Sequence, residues 1–257
     1  MNILCIGDVV GESGCSYLLK RLPNLKKELK IDLCIVNGEN SAEGNGILPA
    51  SADEIFAAGA DVITGGNHTL RRREIYESLD ENEFLLRPYN LPKTTPGKGV
   101  AVVDLGYTQV AVVNLIGTVY MESNDSPFFA ADDVINELKK QNINNIIVDL
   151  HAEATSEKRA MGFYIDGRVT ALFGTHTHVQ TADAQLLPNG TAYITDIGMT
   201  GTVQSVLGVR SDVVISKMRD KLPARFVNAC GDCKMCGCLI SVDRSTGKAN
   251  AIRAIGV

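Results

Sequence analysis

All four histidines of this 257-residue chain sit in short polar clusters, and each cluster follows a run of apolar residues. Ile3-Leu4-Cys5-Ile6-Gly7 leads into Asp8, Leu33-Cys34-Ile35-Val36-Asn37-Gly38 into Glu39-Asn40, and Val62-Ile63-Thr64-Gly65-Gly66 into Asn67-His68. Further on, Ile146-Ile147-Val148-Asp149-Leu150 leads into His151, and Ala171-Leu172-Phe173-Gly174-Thr175 into His176-Thr177-His178. A lone histidine beside an apolar strand is ordinarily a hydrogen-bonded core or loop residue, but here no histidine is left over. Imidazole nitrogen with carboxylate and carboxamide oxygen suits borderline first-row ions such as Mn, Fe or Zn better than Ca or Mg. The set Asp8, Glu39, Asn40, Asn67, His151, His176 and His178 exceeds what one tetrahedral ion takes, which implies two ions bridged by a carboxylate. Ions about 3.5–4 Å apart can clamp the attacking and leaving oxygens of an in-line phosphoryl displacement and generate hydroxide at neutral pH. That chemistry fits a phosphoester, although aminopeptidases and amidohydrolases also use paired ions.

The elements that must position these residues are legible as short Val/Ile-rich runs separated by stretches of helical spacing, the pattern of a buried sheet with alternating helices. Strands are expected at 2–7, 31–36, 61–64, 100–105, 109–115, 145–150, 169–173 and 191–195. Leu18, Leu22, Leu25 and Leu29 give a helix an apolar face, with Pro23 expected to kink or restart it. Ala131, Val134, Ile135 and Leu138 repeat the pattern before the strand at 145–150. In such folds ligands bind beyond the carboxyl ends of the strands, so the polar clusters should converge in one crevice, with Gly7, Gly38, Gly66 and Gly174 allowing the tight turns. Segment 86–99, with its prolines and glycines, reads as a loop, and an antiparallel meander is expected from about 224 to 257. No repeat or linker interrupts the chain, so one α/β domain over 1–257 is expected.

Composition removes other classes. Hydrophobic residues make up 45% of the chain, which excludes disorder as the main state, and no apolar run approaches the roughly 20 residues of a membrane span. The N-terminus lacks the pattern of a secretory leader. A net charge of −5 argues against broad binding of duplex nucleic acid, and seven Tyr and seven Phe without any Trp are few for stacking a single strand. Seven cysteines, several within apolar segments, fit a reducing, cytoplasmic location.

The blocks Gly7-Asp8-Val9-Val10, Gly38-Glu39-Asn40, Gly66-Asn67-His68 and Gly174-Thr175-His176-Thr177-His178 resemble the signatures of the calcineurin-like metallophosphoesterase superfamily, D-x-H, G-D, G-N-H and G-H-x-H. The chain departs from them at Val10, where a His ligand is usual, and at Glu39, where the bridging residue is usually Asp. With Asn37 to Ala42, His151 to Lys158 and Thr175 to Asp183, the wording is similar to one branch, the bacterial YmdB-like phosphodiesterase family, from Met1 to about Asp243. The resemblance implies a four-layer α/β/β/α sandwich and a dinuclear iron or manganese centre. It implies that Asp8, Asn40 and His178 hold one ion, that Asn67, His151 and His176 hold the other, and that Glu39 bridges. Asn40 would fill the place left by Val10, and His68 would be the proton donor to the leaving oxygen. Members of this branch hydrolyse cyclic nucleotides, including 2′,3′-cyclic mononucleotides, so a small phosphodiester is the expected partner, with homo-oligomerisation left open. A nucleotidase or phosphomonoesterase on the same scaffold, and a regulatory nucleotide- or RNA-binding protein with little turnover, are the alternatives.

Other features carry less. Cys230, Cys233, Cys236 and Cys238 have C-x-x-C steps that could supply an accessory metal site, or form a hairpin tip of small residues. Asp149 and Glu153 could orient the imidazoles. Gly11, Ser13 and Gly14 could offer backbone N–H groups to a phosphate at a helix start. Arg71, Arg72 and Arg73 follow His68 closely enough to edge the crevice.

Overall fold

The structure, a computed structural model, describes every residue except Ser123 and Ser245. In β1 (Asn2–Ile6) the residues alternate between two buried surfaces: Ile3 and Cys5 face one way, Leu4 and Ile6 the other. A strand that is apolar on both faces must be covered on both. Helices α1 (Gly11–Glu28), α2 (Pro49–Ala57) and α3 (Tyr76–Glu81) cover one surface, where Leu18, Leu22, Ile55 and Leu79 pack on Leu4, Ile6, Val36 and Ile63. A second sheet covers the other, and between the sheets Ile3, Ile35, Val62 and Ile240 meet Val112, Ile147, Phe173 and Ile194. The outer face of that sheet packs Ala111, Val113, Val148 and Leu172 against α4 (Pro127–Lys140) and α5 (Thr155–Tyr164), through Ala131, Val134, Leu138 and Met161. The layers are therefore α/β/β/α.

The first sheet runs β2 (Asp8–Val9), β11 (Met199–Thr202), β12 (Cys233–Val242), β1, β3 (Leu33–Asn37), β4 (Val62–Thr64), with β13 (Ala249–Gly256) paired along β12. The second runs β5 (Val100–Asp104), β6 (Gln109–Ile116), β7 (Asn145–His151), β8 (Ala171–Thr175), β10 (Ala192–Ile194), β9 (Gln185–Leu186). Strands β1, β3 and β4 are parallel, as are β6, β7, β8 and β10, so their carboxyl ends open toward one edge of the sandwich.

The structure corrects several expectations. Helix α1 runs through Pro23 without restarting; Pro23 lies on the exposed side, where water can serve the carbonyl that its missing N–H leaves free. Residues 224–227 form no strand, so the meander shrinks to the β12–β13 hairpin. The cysteine-rich stretch is no hairpin tip either: only Cys230 lies in the loop, Cys233 opens β12, and Cys236 and Cys238 are buried inside it. Strands β2, β9 and β11 are too short to show a period in sequence. Helix α6 (Ser211–Asp220) belongs to an excursion between β11 and β12 and buries only Val214.

Phe173, fully buried between the sheets, tests this core. Phe173→Ala is expected to destabilise by about 3–5 kcal/mol, whereas Leu19→Ala, on the 46% exposed Leu19 of α1, should stay within about 0.5 kcal/mol. Urea unfolding compares the two, and equal midpoints would mean that the inter-sheet packing is wrongly described.

Candidate metal centre

Each polar cluster lies at the carboxyl end of a strand. Asp8 forms β2 just beyond β1, Glu39 and Asn40 follow β3, Asn67 and His68 follow β4, His151 closes β7, and His176 and His178 follow β8. Glycine permits the close approach: a Cβ on Gly66 would strike the His151 ring and the Glu39 carboxylate, and one on Gly174 would strike the Thr195 carbonyl.

The residues assemble as two adjoining groups. In one, His151 Nε2 lies 2.9 Å from Asn67 Oδ1, 3.0 Å from His176 Nδ1 and 3.4 Å from Glu39 Oε1. In the other, His178 Nε2 lies 3.6 Å from Asp8 Oδ1 and 3.2 Å from Asn40 Nδ2. Glu39 stands between them, its Oε1 also accepting from Asn40 Nδ2 at 2.8 Å and lying 3.1 Å from His68 Nδ1, while its Oε2 accepts the His68 backbone N–H at 2.8 Å. Among the described residues, Glu39, His151 and His176 are the His, Cys, Asp or Glu side chains whose ligand atoms crowd within 4.8 Å. The four C-terminal cysteines form no such group among the described residues, so the accessory site has no geometric support.

Hydrogen bonds behind the crevice decide which imidazole nitrogens are bare. Thr175 donates its hydroxyl proton to Asp149 Oδ1 (2.7 Å), so its oxygen can only accept from His151 Nδ1 (2.9 Å). The proton of neutral His151 is thereby fixed on Nδ1, and Nε2 presents a lone pair to the crevice. Asp149 is held as an acceptor by three donors, because Thr64 (2.5 Å) and Asn37 (3.2 Å) also donate to it. The Leu207 carbonyl accepts from His178 Nδ1 (3.0 Å), which leaves His178 Nε2 bare toward Asp8 and Asn40. Glu153 lies 3.0 Å from His176 Nε2 and favours the proton there, so His176 Nδ1 faces His151 Nε2, lone pair to lone pair. Such convergence, with the fully buried carboxylates of Asp8 and Glu39 and an Asp8 Oδ1 that has no hydrogen-bond partner, is a donor set arranged for cations. The donors fit metal ions, with one exception: Asn40 turns Nδ2, which has no lone pair, toward His178, and its carboxamide must turn over to ligate.

With the centre metal-free, protons take the place of cations. Burial alone would suppress the His151 imidazolium, but the Glu39 and Asp8 carboxylates overcome it and push His151 up to about 9. Burial and the His151 charge together push His176 down to about 4. Against burial, His151 and His68 hold Glu39 well below the usual carboxylate range, and His178 lowers Asp8.

The turn carrying two of the histidines is itself strained, with φ of 99° at His176 and 63° at His178. Asp196 holds it: Oδ2 accepts from the Thr177 backbone N–H (3.1 Å) and hydroxyl (2.8 Å), and Lys158 Nζ, fully buried, donates to the same oxygen at 2.7 Å. Composition and spacing do not single out Lys158, Asp196 or Thr175. A lysine inside the apolar face of α5 was the one available signal. Of the Gly11, Ser13 and Gly14 N–H groups considered for an anion, that of Gly11 donates to the Asn40 carbonyl (2.9 Å) and that of Gly14 to the Val10 carbonyl (3.2 Å). Arg72 spans outward from the crevice to hold the 43–46 turn through the Glu43 and Asn45 carbonyls.

Thr175→Val should lower metal affinity about 10–100-fold by freeing the His151 tautomer, with Thr175→Ser near wild type; chelator competition reads both, and an unaltered Val variant would discard the relay. Metal uptake must also expel the His151 proton, so affinity should strengthen up to about tenfold per pH unit as pH rises toward 9. Calorimetry at neutral pH in buffers of different ionisation enthalpy should show about one proton or more released per chain, and none released would contradict the protonated metal-free state.

The geometry has counterparts. A family model described as YmdB-like protein matches residues 4–255. The 2′,3′-cyclic-nucleotide 2′-phosphodiesterase of Bacillus subtilis (strain 168) is 45% identical over 255 residues, covering 99% of this chain and 96% of its own. A crystallised hypothetical protein of Thermus thermophilus superposes with a TM-score of 0.94 at 38% identity, covering 100% of this chain and 99% of that one. A novel phosphatase of Mycoplasma pneumoniae gives a TM-score of 0.94 at 33% identity, covering 100% of this chain and 93% of that one. The sandwich is that of metallophosphoesterases, a family that implies divalent metals, and the chain belongs to the YmdB-like protein family.

Proposed function

We propose that this chain is a dinuclear-metal phosphodiesterase that opens cyclic nucleotides, 2′,3′-cyclic mononucleotides among them. The observation that carries the reading is the convergence of bare imidazole nitrogens on two buried carboxylates, in a chain 45% identical to a 2′,3′-cyclic-nucleotide 2′-phosphodiesterase. Two first-row ions, iron or manganese, supply Lewis acidity toward the phosphoryl oxygens and a nucleophilic water when bound. Asp8, Asn40 and His178 would hold one, Asn67, His151 and His176 the other, with Glu39 shared between them. Asp149 and Thr175 keep His151 in the ligating tautomer, while Asp196 and Lys158 hold the His176–His178 turn so that both rings point inward. His68 is half-buried at the rim beside Glu39, where its imidazole can turn from Glu39 to a substrate oxygen. An alkoxide is a poor leaving group, and His68 supplies the proton that opens the ring, a step worth about 10²–10⁴-fold. A monoesterase on the same residues is the second reading, favoured by the phosphatase of Mycoplasma pneumoniae that shares the fold.

The test uses metal-loaded protein on 2′,3′-cyclic nucleotides, on nucleoside monophosphates and on bis-p-nitrophenyl phosphate. Metal-dependent diester hydrolysis exceeding monoester hydrolysis is expected, and the reverse preference selects the second reading. Asn67→Ala should weaken one ion. His68→Ala should retain both ions yet lose about 10²–10⁴-fold on the cyclic nucleotide and far less on the p-nitrophenyl ester, whose phenolate hardly needs a proton. Equal losses on both would remove His68 as the acid.

A further inference from the structure

Among the described residues two long cationic side chains are buried, and one of them is paired with an anion. Lys158 is paired with Asp196 at 2.7 Å. Arg87, 7% exposed, donates from Nη1 to the carbonyls of Pro88 (2.7 Å) and Tyr89 (3.1 Å), and its Nε is buried without a hydrogen-bond partner among the described residues. Burial depresses the guanidinium, partly offset by Tyr89. A buried cation that lacks a counter-charge is unfavourable until an anion arrives.

Arg87 lines the wall of a cleft of about 710 Å³ between segment 87–99 and helix α4, a volume in the range of small-molecule sites. None of its lining residues belongs to the metal centre. Exposed Lys93 adds a second positive charge to the lining. From α4 come Asp133 and Glu137, one turn apart on the same face and near enough to raise the Tyr89 hydroxyl; they suit hydroxyl or amino donors on a ligand. Phe129, 73% exposed although aromatic, stands at the cleft and offers a face for a flat ring.

We infer that this cleft is a second ligand site, and that it takes a nucleoside monophosphate: phosphate on Arg87 and Lys93, base against Phe129, sugar hydroxyls or base amines toward Asp133 and Glu137. A ligand here needs an anion, a flat body and hydrogen-bond donors in one small molecule, and this class carries all three. The site stands independently of the reaction proposed at the metal centre.

Calorimetry on the full-length, metal-loaded chain with AMP as probe reads it. Wild type should show a binding event that Arg87→Met removes or weakens by at least about tenfold, the loss of a charge-assisted phosphate contact. Binding at the metal centre would persist in that variant and so be told apart. Lys93→Glu and Phe129→Ala, both at exposed side chains, should weaken the same event several-fold even if Arg87→Met fails to fold. Adenosine, ribose 5-phosphate and inorganic phosphate should each bind at least about tenfold less tightly than AMP. AMP binding unaltered in all the variants, or absent in wild type, would overturn the site, and inorganic phosphate binding as tightly as AMP would overturn the ligand class.

Discussion

The structure is organised around acceptor atoms crowded onto one another. His151 Nε2 and His176 Nδ1 are 3.0 Å apart, Asn67 Oδ1 and Glu39 Oε1 close on the same point, and Asp8 Oδ1 is buried without a donor. No arrangement of neutral side chains makes such a cluster favourable; only positive charge at its centre does. Protonation of His151 supplies that charge, and a metal ion would supply it to several lone pairs at once.

Holding ligands in so unfavourable an arrangement takes a second layer, and that layer is where the two sheets are joined. Asp149 on β7 accepts from Asn37 on β3, Thr64 on β4 and Thr175 on β8, so one carboxylate ties both sheets together directly behind the crevice. Burial pushes it up to about 6 against those donors, a cost that three hydrogen bonds offset. Asp196 plays the matching part for the His176–His178 turn. There the left-handed backbone would relax without it, and Lys158 supplies the neutralising charge from inside α5.

The sequence made the polar clusters easier to read than their supports. Short apolar runs ending in Asp, Glu, Asn and His are visible as text because strand period and polar punctuation are local properties. The strand at Cys233 to Val242 is legible over Cys238 to Val242, but its first half is hidden by its cysteines and Gly237, which read as a turn, although small thiols are ordinary core residues. Lys158, Asp196 and Thr175 were hidden for a different reason: each has meaning only through partners from 19 to 38 residues away. The restart expected at Pro23 did not occur because an exposed position tolerates a lost hydrogen bond that a buried one would not.

The placement of β12 has a consequence for how the molecule comes into being during synthesis. This strand lies against β1, far earlier in the sequence, and β13 follows it, so the first sheet stays incomplete until residues Cys233 to Gly256 have been made. Asp8, Glu39, Asn40 and Asn67 emerge early, and His151, His176 and His178 only after residue 150. A nascent chain therefore holds only part of this polar cluster. Its completion becomes one of the late events of folding, coincident with the closure of the sheet that shapes the crevice.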